Sequence, residues 1–160
     1  MLGALLVALA YFATAPVQPT GDAAPFAVIV SAQTEPGKMS RDDIASIFRR
    51  KQTFWKSGGR VQPVNLPASN ALRKAFSQCV LGQAPDALQD YWRQMYFQGV
   101  LPPRVLESER AVYLFVASTR GGIGYVSACT NDPGVLVVLT FGEVPHCPKR
   151  PAECAPLQES

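Results

Sequence analysis

The stretch VQPVNLPASNALRKAF, residues 61–76, brings Ser69, Asn70 and Arg73 close together where an alternating, strand-like pattern gives way to a helical one. The amino end of a helix leaves backbone N–H groups without partners, and its dipole adds partial positive charge, so phosphate or sulfate fits there. The Ser69 hydroxyl can donate to such an anion, Asn70 adds an amide, and Arg73, one turn on, can fold its guanidinium back. The plainer reading is that the Ser69 oxygen caps its own helix, worth about 1 kcal/mol. Ser31, closing the apolar run FAVIVSA, is a secondary candidate, because ligands of open α/β sheets gather at carboxyl ends of strands.

Other chemistry is sparse. There is one histidine, His146, and no GxSxG, Walker loop or dinucleotide fingerprint, so no enzyme and no cofactor are expected. Asp42 and Asp43 are adjacent and do not face each other as an acid and a base would; their ordinary role is charge at a helix start. Cys79 falls on the apolar side of its helix, which suits core or disulfide better than nucleophile. Among the aromatics, Trp92 and Tyr96 have the helical spacing of core residues, whereas Trp55 lies in a loop and is harder to place.

Composition fits a binder of small anions or nothing in particular. A net charge of +3 over 160 residues is mildly basic and spread out, without the dense Lys/Arg grouping of a nucleic-acid surface. The four cysteines, Cys79, Cys129, Cys147 and Cys154, allow three disulfide connectivities, and an even count behind a signal-like segment favours disulfides. His146 beside Cys147 is not a metal site by spacing, since neither CxxC nor HxxxH occurs.

The elements that position these residues follow from periodicity. LGALLVALAYFATA, residues 2–15, is uncharged, too short to span a bilayer comfortably, and suits the apolar region of a secretory signal or a retained anchor. Residues 1–25 therefore read as signal-like segment plus linker, 26–142 as one α/β domain, and 143–160 as a Pro/Cys-rich tail. An exported, periplasmic location is expected.

Within the domain, FAVIVSA reads as a doubly covered strand. SRDDIASIFRRK reads as a helix with Ser40 as N-cap, Asp43 completing a capping box and three basic residues in the last turn. RVQPVNL reads as a strand that Pro63 assigns to an edge or bulge. Helices follow from Ser69, Pro85 and Ser108, and strands return at RGGIGYV and VLVVLTF. Strands alternating with helices give an α/β fold with a mixed sheet flanked by about four helices.

Taken in order, MSRDDIASIFRRKQTFWKSGGRVQPVNLPASNALRKAF and GGIGYV resemble one lobe of the type 2 periplasmic binding proteins that serve phosphate ABC transporters, and in particular short bacterial proteins of little more than that lobe. The resemblance covers roughly residues 26–128. It implies a single lobe of that fold, a phosphate or other oxyanion ligand, and a transporter or envelope protein as partner. In full-length relatives the strand leads into an arginine and then a serine, both touching ligand. Here Asn65 and Ser69 stand in those places, and Pro67 replaces an aspartate that accepts a hydrogen bond from phosphate. The expected ligand-binding set is thus Ser69, Asn70, Asn65, Arg73 and Ser31. With the second lobe absent, a homodimer that rebuilds a cleft is a further expectation. So is a protein-interaction module that keeps the fold without the ligand, with Trp55 and Arg49–Lys51 as contacts.

Overall fold

The computed structural model describes residues 25–127 and 133–142. The signal-like segment, His146, Cys129, Cys147 and Cys154 lie outside the described residues. A five-stranded mixed sheet runs in the order β3-β2-β4-β1-β5. Its strands are β1 (Phe26–Ser31), β2 (Gln62–Asn65), β3 (Arg104–Val105), β4 (Gly122–Ser127) and β5 (Val135–Phe141). β1 is antiparallel to both neighbours, β4 and β5, while β2 is parallel to β3 and β4. Every residue of β1 is buried, as its continuous apolar run requires.

Pro63 is not on an edge strand. β3, however, runs beside Val64 and Asn65 only, so Pro63 has a strand neighbour on one side, at Ile123. The missing N–H is tolerated there for the reason that favours edges.

The helices are α1 (Arg41–Phe48), α2 (Ala71–Phe76), α3 (Gln89–Phe97) and α4 (Glu109–Ser118). Ser40 and Asp43 form the expected capping box, in which each side chain accepts from the other residue's backbone N–H. That pairing, first through the Ser40 hydroxyl, holds the Asp43 carboxyl below its ordinary range. α1 ends at Phe48, so Arg49–Lys51 follow the helix instead of forming its last turn, and the Arg49 guanidinium donates to Leu81 O at 2.7 Å. α2 continues through a π-helical turn, Ser77–Leu81, and Gly82 stops it in the left-handed region.

Side chains alternate along β4, so Gly124 and Tyr125 face opposite sides of the sheet. A β-carbon on Gly124 would lie 2.5 Å from Val112 Cγ1, which shows how closely α4 packs on one face. On the other face Tyr125 stacks on Phe76 of α2 at 4.0 Å, with Phe48 of α1 tilted against both. Such a stack adds about 1 kcal/mol beyond its buried area. The core is therefore two layers of side chains around one sheet.

α3 departs from its expected role. None of its residues is buried: Trp92 packs against the core from outside, and Tyr96 is 64% exposed. Trp55, conversely, is buried and donates Nε1–H to Gly121 O. It is thus a loop brace and not a free contact for a partner. Among the described residues no helix is long and apolar enough to cross a membrane, and no group of three His, Cys, Asp or Glu residues could hold a metal.

Candidate functional site

The loop Leu66–Ser69 carries the chain from the carboxyl end of β2 to α2. Asn70, not Ser69, is the N-cap: its Oδ1 accepts from Leu72 N at 2.8 Å and Arg73 N at 3.3 Å. The Asn70 carbonyl takes the Lys74 N–H. Capping by Asn70 moves the helix start one residue on and leaves Ser69 outside it, exposed, with its hydroxyl bonded to none of the described residues. The helix end is thus largely self-satisfied, and what it still offers is the Ala71 N–H, the Ser69 hydroxyl and the Asn70 amide.

Arg73 folds back, as its spacing allows, but inward. It is only 7% exposed, and its guanidinium donates to Asn65 Oδ1. The same oxygen accepts from the Tyr125 hydroxyl at 3.1 Å, and that hydroxyl accepts from Leu66 N at 3.2 Å. Burial raises the Tyr125 pKa, with the Arg73 charge pulling the other way, so the phenol stays protonated and able to donate. Among the described residues the two ion pairs are Arg41–Asp42 and Arg93–Asp90, both exposed, so no carboxylate neutralises Arg73. A buried cation without a counter-charge is costly unless hydrogen bonds or an arriving anion compensate it.

Ser31 does not join this group. Val30 is level with Ile123 on β4, and Ile123 is level with Pro63 in the first half of β2. β1 therefore runs against β2, and its carboxyl end lies at the other end of the sheet from Asn65. The Ser31 hydroxyl there accepts from Gln33 N. Nearby, a cavity of about 270 Å³ is lined in part by Thr34, Trp55, Arg60, Arg120 and Gly121. The carboxyl-end argument holds only among parallel strands, and β1 is antiparallel.

The sequence did not single out Tyr125, which closes the polar cluster, or Thr34, which accepts from Gly121 N at 2.8 Å. The tyrosine had a visible signal in GGIGYV. Gly121 sits at φ 83° with Arg60 O where a β-carbon would be, and Gly124 admits α4, so the motif is first a packing motif that aims Tyr125 at Asn65.

No protein-family model matches the chain, and no curated protein matches it in sequence. Solved structures do match. One, from Clostridium perfringens and assigned as a phosphate ABC transporter substrate-binding protein with bound phosphate, superposes with a TM-score of 0.58 at 20% identity, over 73% of this chain and 46% of that one. An ABC-type phosphate transport receptor from Vibrio cholerae gives 0.57 at 16% identity, over 73% and 47%. The chain spans just under half the length of these structures and shares their fold, which is the fold read from the sequence.

Proposed function

We propose that this chain is an exported, non-enzymatic solute-binding protein that holds phosphate or a related oxyanion at the amino end of α2. One observation carries the reading. Arg73 is a buried cation with no carboxylate partner among the described residues, and Asn65 holds it beneath the loop where Ser69 is exposed. An anion at Ser69 Oγ and the Ala71 N–H would be bound by two donors and stabilised by that charge in a partly desolvated setting.

Arg73 would thus supply, from the helix, the positive charge that the resemblance assigns to the Asn65 position. The phosphate named for the C. perfringens structure and the transport role named for the V. cholerae one support the ligand class. Partners on this reading are the oxyanion and an ABC transporter or envelope protein, with phosphate transport as the setting.

Calorimetric titration with phosphate, then sulfate, alongside thermal melts, tests the reading. Ligand at a hundred times its dissociation constant adds about 2.7 kcal/mol and raises the melting midpoint by several degrees. Loss of that signal in Ser69→Ala, with the fold intact, supports the site; unchanged phosphate affinity in the variant sinks it.

The exposed end of α3 and the chain just after it favour a second reading. Tyr96, Phe97 and Leu101 are 64%, 83% and 62% exposed, and aromatic residues are enriched where proteins meet. On that reading the fold is kept for protein contact, and anion titrations are silent while an envelope fraction yields a partner lost in Phe97→Ser.

A further inference from the structure

A cavity of about 440 Å³, within the size range of small-molecule sites, opens beside β2 and β3, and α4 contributes Phe115 to its wall. Three arginines line it: Arg50 from the chain after α1, Arg60 from the hairpin before β2, and Arg104 of β3. No aspartate or glutamate lines it, and none of the three is in an ion pair with the described residues. Like charges gathered without acids repel one another, so each is more stable with an anion between them.

Arg50 stands out among the three. Among the described residues it is the one non-glycine residue with positive φ, at 60°, the left-handed position that closes α1, where Lys51 N–H also donates to Ser46 O. The Arg50 N–H donates to Ile47 O at 2.9 Å. Its Nε is shut off from solvent and has no hydrogen-bond partner among the described residues. A buried charged donor left unmade is a rare, costly feature. Arg60 is held in place, its guanidinium 5.5 Å above the Phe54 ring, which leaves its in-plane donors free. The remaining wall is mixed: Pro102, Pro103 and Phe115 give it an apolar side, and Thr53 and Gln62 a polar one.

We infer that this cavity is a second anion site, separate from the end of α2, and that it takes an oxyanion carried on an apolar body, such as an aromatic carboxylate or an aryl phosphate. The arginines grip the oxyanion in bidentate fashion, and the proline and phenylalanine surfaces cover the rest. Free phosphate gains nothing from those surfaces and binds more weakly. The inference does not depend on the reading of α2, because Asn65 and Arg73 do not line this cavity.

The experiment is a calorimetric titration of the full chain with phenyl phosphate, and separately with phenylacetate, in buffer already holding millimolar inorganic phosphate. That background fills the α2 end if it binds there, so whatever heat remains belongs to another site. Saturable binding of at least one probe, at least about tenfold tighter than phosphate, is the expected result; which probe wins distinguishes carboxylate from phosphate as the recognised group. Arg104→Gln and Arg50→Gly each weaken it about tenfold or more. Arg50→Gly also raises or preserves the melting temperature, because glycine accepts the left-handed conformation, so lost binding there is not lost folding. No saturable heat from either probe overturns the inference, as does binding that both variants retain.

Discussion

Arg73 and Asn65 are eight residues apart in sequence and joined in the interior by a hydrogen bond from the guanidinium to the side-chain carbonyl. The pair ties the carboxyl end of β2 to the first turn of α2, and Tyr125 of β4 shares the same acceptor. Three elements thus meet on one amide oxygen beneath the loop that carries Ser69. Leu66, the first residue of that loop, joins the same cluster through its N–H on the Tyr125 hydroxyl, so the loop is anchored by the bonds that hold β2, β4 and α2 together.

Removing the acceptor should therefore cost more than removing both partners. Asn65→Ala takes the amide acceptor from a buried guanidinium and from the Tyr125 hydroxyl, and should lower stability by about 2–3 kcal/mol. The double variant Asn65→Ala, Arg73→Met removes the charge as well and should lose less than the two single losses combined. Urea unfolding of the four proteins measures the cycle; strict additivity would mean the two side chains do not interact.

Stability should also fall in alkali. Burial keeps the Tyr125 proton in the folded chain above the ordinary value of 10.0, whereas the unfolded chain releases it near that value. The unfolded state then binds fewer protons, so the contribution is complete below about pH 10 and is lost as pH rises through the folded pKa. Tyr125→Phe should remove this part of the slope. It should also cost about 1–3 kcal/mol at neutral pH, because Leu66 N–H loses its acceptor. Melts across pH 8 to 11 would show both effects, and an unchanged alkaline slope in the variant would assign it elsewhere.

The fold was legible in the sequence wherever local pattern and packing agree. FAVIVS and VLVVLTF became β1 and β5, and the Ser40 capping box formed as read, because each depends on contacts within or beside one segment. The site was less legible. Whether Ser69 or Asn70 caps α2 depends on one residue of register, which the stretch PASNA leaves open to either polar side chain. Ser31 was misplaced relative to Asn65 because strand direction is a property of the whole sheet. Arg73 had the right spacing, yet its inward turn depends on Tyr125, which is remote in sequence and unrecognisable as a partner until β4 lies beside β2.

The glycine before β4 gives a sharper test of that assembly. A β-carbon on Gly121 would lie 2.2 Å from Arg60 O, and φ is 83°, so Gly121→Ala meets backbone and strain together. It should destabilise by about 2–4 kcal/mol. It should also loosen the Trp55 Nε1–H bond to Gly121 O, which tryptophan fluorescence would report as a red shift. A native-like melt and spectrum would show that the 120–122 turn has more room than this geometry allows.

Ser69 and Asn70 separate capping from binding, because the structure gives them different work. Asn70→Ala removes the oxygen that satisfies Leu72 N–H and Arg73 N–H, and should cost about 1 kcal/mol whether or not any anion is present. Ser69→Ala removes an exposed hydroxyl bonded to none of the described residues, so it should move stability by less than about 0.5 kcal/mol. If phosphate binds at the end of α2, the order reverses in its presence. Ser69→Ala then loses the stabilisation that ligand adds to the parent chain, while Asn70→Ala keeps at least part of it through the Ser69 hydroxyl. Thermal melts of the three proteins with and without phosphate give the answer. A large ligand-free loss in Ser69→Ala would return the cap to the serine and remove the free donor on which the anion site depends.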